Sequence, residues 1–298
     1  MSDVRSLVVQ SVLFGNAPGE IVRAAEAVAT SVKWARAEGL IGEWSLLLGD
    51  CSDVEVLDSS HQADIRSLVL DQGGAFEYHV FGANLGSAAG HNALAATAVS
   101  DLILILNPDA VVAPDAVEAL ARVVVGSVGI AEARQVPLEH PKDYEVETGN
   151  TSWASTACAL TPRLAFDRVH GFDSKTFFLY CDDVDYSWQL RLAGYRVVYE
   201  PAARVFHDKR LTVTADWPAS SAEVYFSAEA AIFLAHKYSR PDLVSKLVRQ
   251  FRAEGTEVAR KVVESFERRR SEGTLPLPVD TSHTVAQFIG GNYAVHRF

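Results

Sequence analysis

Two groups of carboxylates, 74 residues apart, stand where the chain could do chemistry. Asp109 closes the run Leu102-Ile103-Leu104-Ile105-Leu106-Asn107-Pro108, so an uninterrupted apolar strand delivers an acid to its C-terminal tip, the edge at which open α/β sheets bind ligands. The second group, Asp182-Asp183-Val184-Asp185, follows Phe177-Phe178-Leu179-Tyr180 and opens a segment of helical character. Carboxylate oxygens are hard ligands suited to Mg2+ or Mn2+. Crowded acids disfavour one another's ionised forms, which raises at least one pKa toward a value useful to a general base. One acid for a cation and one for a proton make the pattern of a metal-assisted transfer. Each group also has a plainer use. Asn-Pro-Asp is a common turn at a strand end, and aspartates in a first helical turn cap free N–H groups and complement the macrodipole. Capping is the better account of Asp182, and Asp185 is open to capping or to substrate contact.

The elements that must hold these groups alternate. Residues 7–14 read as a strand, 20–37 as a helix with Ile21, Ala25, Val28 and Val32 on one face, and 44–48 as a second strand stopping at the turn-forming Gly49-Asp50-Cys51-Ser52-Asp53. A third strand over 78–81 and an Ala-rich helix over 90–99 lead into the strand at Leu102. This order predicts an α/β fold with a mostly parallel, doubly wound sheet. Residues 130–150 are polar, contain Pro137 and Pro141, and read as a loop or peripheral hairpin. Residues 151–160 are β-prone, 162–169 form a short helix broken by Gly171, 183–193 a helix stopped by Gly194, and 195–199 a strand. Beyond Pro218, helices over 222–238 and 241–270 form a C-terminal extension, and 271–298 carry no assignable period. The expected division is a catalytic domain at 1–215 and a helical extension with a tail at 216–298.

Composition narrows the function. With 298 residues, 48% of them hydrophobic, the chain can bury a full core. A net charge of −11 argues against nucleic acid as a partner, because phosphate backbones need a basic footprint. From Lys237 onward 11 Lys/Arg face 7 Asp/Glu, so that segment is +4 and the rest −15. Such a tail either docks on anionic lipid, forms a homo-oligomer interface, or carries i,i+4 pairs on a solvated face. Cys51, Cys158 and Cys181 are odd in number and scattered, which fits a reducing compartment. Residues 1–10 lack the features of a signal peptide, and the longest apolar stretch, 224–235, is short and interrupted by Glu229. A cytoplasmic protein, peripheral at the inner face of the membrane, is the expectation.

Several segments in order carry a family resemblance: Asn84-Leu85-Gly86-Ser87-Ala88-Ala89-Gly90-His91-Asn92, Leu106-Asn107-Pro108-Asp109, Gly171-Phe172-Asp173, Phe177 through Asp185, Arg191-Leu192-Ala193-Gly194-Tyr195 and His207. Together they resemble the family 2 inverting glycosyltransferases, in particular the bacterial rhamnosyltransferase-like subgroup. The resemblance implies a GT-A, Rossmann-like doubly wound mixed sheet with a C-terminal helical extension. It implies transfer of a sugar from a nucleoside-diphosphate donor, a dTDP- or UDP-sugar, to a hydroxyl of a glycan or lipid-linked acceptor in cell-surface polysaccharide or glycolipid synthesis. On this likeness Asp109 and His207 hold Mn2+ or Mg2+, the imidazole favouring Mn2+. Asn107, in place of a first Asp, contacts donor sugar or ribose, and Asn84 and Gly86 form a turn against the donor. Asp50 reads the base or ribose, with Asp53 the alternative, and Asp183 is the catalytic base. Trp153, Ser155, Thr156 and Asp182 lie on the acceptor side, Trp153 serving core packing equally well. The polar loop Glu139-His140-Pro141-Lys142-Asp143-Tyr144 closes over the donor. Two other functions remain open: a sugar-1-phosphate nucleotidyltransferase, whose Gly-rich loop would carry an Arg absent from Phe14-Gly15-Asn16-Ala17-Pro18-Gly19, and a non-catalytic carbohydrate-binding subunit.

Overall fold

The computed structural model describes residues 4–137, 143–207 and 220–293. Its strands are β1 (Arg5–Leu13), β2 (Ile41–Asp50), β3 (Ala75–Val80), β4 (Leu102–Leu106), β5 (Ala110–Val112), β6 (Val128–Val136), β7 (Cys158–Pro162) and β8 (Arg196–His207). They form one mixed sheet in the order β3-β2-β1-β4-β7-β6-β8-β5. The first four are parallel, β7 runs antiparallel to both β4 and β6, and β8 is parallel to β6. Every residue of β4 is buried, as expected of a strand with helices over both faces. Helices α1 (Pro18–Ala37), α2 (Ser59–Asp71) and α4 (Ala116–Val123) share one core with one face, through Val28, Ile65 and Leu120 among others. Helices α3 (Gly86–Thr97), α5 (Arg163–Arg168) and α6 (Asp182–Leu192) bury Ala88, Phe166, Tyr186 and Leu190 against Ile103 and Ile105 of the other. The doubly wound mixed sheet read from the sequence is the observed architecture.

Three elements depart from the sequence reading. Strand β6 occupies the first third of the segment expected to be a loop and lies inside the sheet. Its Glu132 and Gln135 are buried, so polarity that suggested solvent marks a polar interior instead. Only the end of the β-prone stretch 151–160 is strand, since β7 begins at Cys158. The expected helix 241–270 is two, α8 (Pro241–Glu254) and α9 (Glu257–Glu272). Gly255 ends the first at φ +68°, and the Thr256 hydroxyl caps the second by accepting from Ala259 N–H.

Helix α7 (Ser221–Lys237) starts at a capping box made by Ser220 and Glu223. With α8, α9 and the following residues it covers one stripe of α6: Asp185, Trp188 and Arg191, spaced by three. Trp188 stacks edge-on against Tyr238 and Phe288, and Arg191 donates to the Val285 carbonyl at 2.7 Å. Asp185 is fully buried; Lys237 Nζ sits 2.8 Å from its Oδ1 and 2.7 Å from Asp173 Oδ2, while Tyr238 donates its hydroxyl to Asp185 at 3.0 Å. The expected domain boundary, between 215 and 216, lies outside the described residues.

On the outer faces of α8 and α9 the basic residues are largely paired: Arg252 with Glu267, Arg260 with Glu264, and Lys261 with Glu257. This is the solvated-face use of the charge. No helix among the described residues is long and apolar enough to cross a membrane, and the three cysteines are buried thiols outside any disulfide.

Removing one partner of a buried ion pair strands the other, at a cost of about 3–5 kcal/mol. Lys237→Met should therefore lower unfolding stability by about that amount; urea denaturation indistinguishable from the parent would contradict the clamp.

Candidate active site

The sheet's geometry brings His207 to Asp109. After β4, Asn107 N–H donates to the Ala157 carbonyl at 2.9 Å and Ala110 N–H to the Asn107 carbonyl at 3.1 Å, a turn that presents Asp109 and starts β5. Strand β5 pairs antiparallel with β8, with Ala110 opposite His207. His207 Nε2 thus lies 3.4 Å from Asp109 Oδ1 and 3.2 Å from Asn107 Nδ2. On the far side of the ring, Nδ1 is 3.1 Å from Gln135 Oε1, and Gln135 Nε2 donates to Ser155 Oγ at 3.2 Å. Ser155 N–H donates to the Glu132 carboxylate, and Ala157 N–H to Ser155 Oγ at 3.3 Å. Gln135 and Glu132 are residues the sequence reading missed; with Arg134 they make three polar residues in a run otherwise small and aliphatic, which was the available signal.

This donor set fits a divalent cation. A proton on Nδ1, toward Gln135 Oε1, would leave Nε2 with a lone pair facing a carboxylate oxygen, an arrangement poor for a hydrogen bond between them and good for a shared cation. The side chains are partly open, 14% exposed for His207 and 27% for Asp109, leaving room for ligands from a bound molecule. Among the described residues no group of three or more His, Cys, Asp or Glu could hold a metal. A cation here would draw its remaining ligands from substrate and solvent.

The second station is the start of α6. Tyr180 and Cys181 both take left-handed backbone conformations, φ +65° and +55°, costly for residues with a Cβ and the kind of strain that gathers at functional sites. The turn they make starts the helix with Asp182 buried and Asp183 half-buried. Asp183 Oδ1 accepts Val184 N–H at 2.8 Å. Asp182 Oδ2 is buried with no hydrogen-bond partner. Burial, reinforced by the neighbouring Asp183 charge, pushes the Asp182 carboxyl up to about 7 against the opposing hydrogen bond from Ser87. Asp185, open to substrate contact on sequence grounds, is instead committed to Lys237 and Tyr238.

One loop ties the stations together. Ser187 of α6 donates its hydroxyl to the Asp183 carbonyl at 2.8 Å and accepts Ala154 N–H at 3.0 Å; the next residue, Ser155, belongs to the chain of bonds ending at His207. A third element closes on α6 through Gly86, at φ +71°. A Cβ there would collide with the Phe178 carbonyl and ring, and Ser87 N–H donates to that carbonyl at 3.1 Å. Only glycine lets the start of α3 seat this closely. Exposed Asn84 holds the turn by accepting Gly86 N–H at 3.1 Å.

The remaining expected residues are placed differently from one another. Asp50 is fully buried at the end of β2, accepting Ser52 N–H at 2.9 Å, Val56 N–H at 2.8 Å and the Tyr78 hydroxyl. Burial acts to raise its pKa, but these hydrogen bonds prevail and lower it. It thereby braces the loop after β2, while Asp53 is exposed. Trp153 is 4% exposed and packs edge-on against Tyr293 in the core shared with the C-terminal helices, which is its packing role. Ser155 and Thr156 are half-buried beside the Asn107 turn. Of the polar loop, residues 139–142 lie outside the described residues; Tyr144 stacks on Tyr199 at 4.7 Å.

No family model matches the chain. The N-acetylglucosaminyl-diphospho-decaprenol L-rhamnosyltransferase of Mycobacterium tuberculosis is 40% identical over 87 residues, 29% of this chain and 27% of the relative. Rhamnosyltransferase WbbL of Escherichia coli K12 is 36% identical over 67 residues, 22% of this chain and 25% of the relative. The chain thus spans about a quarter of the length of the curated relatives it matches. Among solved structures, the Pyrobaculum calidifontis mannosyltransferase in complex with GDP-Man and Mn2+ superposes with a TM-score of 0.58 at 14% identity, covering 92% of this chain and 86% of that one. GalNAc-T7 with UDP, GalNAc and Mn2+ gives 0.61 at 12% identity, covering 92% and 56%. The chain has the GT-A fold. The fold implied by the motif resemblance is borne out, and the sequence likeness to rhamnosyltransferases extends over 67 to 87 residues.

The raised Asp182 pKa has a thermodynamic signature. Folding lifts this carboxyl from its ordinary 3.8 to about 7, so between those values the folded state keeps a proton that the unfolded chain releases. Its contribution is complete below the unfolded value and is lost as pH rises through the folded one. Asp182→Asn should flatten that decline and be more stable than the parent above about pH 7. Thermal melts with parallel pH profiles for the two proteins would contradict it.

Proposed function

We propose that this protein is an inverting glycosyltransferase that moves a deoxyhexosyl or hexosyl unit from a dTDP- or UDP-sugar to a hydroxyl of a lipid-linked or glycan acceptor. The observation that carries it is the Asp109–His207 pair at the C-terminal edge of a GT-A sheet, 3.4 Å apart and bonded through Gln135 and Ser155 to the loop that holds α6. Support for a deoxyhexosyl unit comes from the names of the rhamnosyltransferase relatives, and the decaprenol-linked acceptor named for the M. tuberculosis relative suggests the acceptor class. A lipid-linked acceptor would be met at a membrane surface.

Asp109 and His207 would hold Mn2+ or Mg2+, which on binding neutralises negative charge gathering on the departing nucleoside diphosphate. Asn107, whose amide already lies against His207, offers a hydrogen bond to donor sugar or ribose. The Asn84–Gly86 turn lies against the donor. On the acceptor side Asp183 takes the hydroxyl proton as that oxygen attacks the anomeric carbon from the face opposite the leaving group. Division of labour between the neighbouring acids follows from their surroundings. Burial favours a proton on Asp182, and the more open Asp183 is the acid placed to act as base.

Asp183→Asn should retain nucleotide binding while losing transfer by about 10²- to 10⁴-fold; parent-like turnover in a radiolabelled-sugar assay overturns the assignment. Asp109→Ala should weaken donor binding only when Mn2+ is present. Equal calorimetric affinities for UDP with Mn2+ in parent and variant would refute the metal station.

A further inference from the structure

The hydrogen-bond column behind His207 is built to set the state of its imidazole. Gln135 is 3% exposed on β6, and the register Gln135↔Val205 and Val136↔Phe206 fixes it beside the end of β8. Both ends of its amide are used: Oε1 lies 3.1 Å from His207 Nδ1, and Nε2 donates to Ser155 Oγ at 3.2 Å. Ser155 is itself held by Ala157 N–H on its hydroxyl and by the Glu132 carboxylate on its backbone N–H. A Gln whose amide hydrogens point at Ser155 turns its carbonyl toward His207 and can only accept there. His207 must then carry its proton on Nδ1, and Nε2, 3.4 Å from Asp109 Oδ1, is left with a lone pair. Asn107 Nδ2, 3.2 Å away, meets that lone pair as a donor, so both neighbours of the ring agree on one tautomer. A cation ligand requires that lone pair, and a partner on the second ring nitrogen is what commonly orients a metal-binding imidazole.

We propose that Gln135 is a positioning residue that locks His207 in the Nδ1–H tautomer and aims Nε2 at the cation site shared with Asp109. Its role in metal affinity rests on the function proposed above, but the tautomer does not. Burial of an amide in a sheet-central strand is otherwise unrewarded, because a Leu or Met of similar length would fill the same space without needing partners.

The test uses the full chain with 15N-labelled histidine, free of metal, the His207 signals being assigned from a His207→Asn variant. The expected result is a protonated Nδ1 and a pyridine-like Nε2 at neutral pH. In Gln135→Leu this pattern should be lost, and calorimetric affinity for Mn2+ in the presence of UDP should fall by about 10- to 100-fold, with Gln135→Met as a second variant should the first fail to fold. A protonated Nε2 in the parent, or parent-like Mn2+ affinity in a folded Gln135 variant, overturns the orienting role and leaves the metal station standing. Absence of Mn2+ binding by the parent, with the expected tautomer present, overturns the metal station and leaves the orienting bond standing.

Discussion

The structure depends on the reversal of strand direction between β4 and β7. Four parallel strands end at one edge, and β7 then enters the sheet from that same edge, with Leu106 opposite Cys158. Residues 154–157, leading into an antiparallel strand, must therefore lie beside the tip of the parallel one, where Asn107 N–H finds the Ala157 carbonyl. A purely parallel sheet would send this connection to the other end of the strands, far from Asp109. The reversal keeps the loop next to Asp109 and His207 while its earlier residues reach α6.

That arrangement explains why the interior of β6 is polar. The loop and the end of β8 both present groups that need partners, and β6 lies between β7 and β8. Glu132 and Gln135 satisfy them from inside the sheet. Each buried polar group costs free energy unless it is bonded, so such residues persist where their bonds organise something. The same logic applies to the charged cluster behind α6. An ion pair there is weak evidence for net stability, yet breaking it is costly, which makes it a device for fixing position.

These two features mark the boundary of what the sequence made legible. The pairing of Asp109 with His207 was implied only by the family resemblance, whereas strand β4 and the acidic start of α6 were accessible because continuous apolar runs and turn residues are local signals. Strand β6 was not, because its hydrophobic period is broken by the two residues whose partners lie on other elements. Lys237 could not be matched to Asp185 across 52 residues by any spacing rule. The α8–α9 break was readable in hindsight, since Gly255 followed by Thr256 is a stop and a start side by side. Asp50 kept the expected position at a strand end, but its oxygens serve the adjacent backbone, which residue type alone does not reveal.

The stripe Asp185, Trp188 and Arg191 has a bearing on engineering. The helix that begins with Asp182 and Asp183 is, on its opposite side, the seat of the C-terminal helices, so it belongs to two cores at once. Grafting another protein's helical cap onto this sheet would leave a carboxylate, an indole and a guanidinium without their counterparts. A working chimera would have to carry those three positions along with the cap, and the crossover point belongs upstream of α6, not in the connection that follows β8.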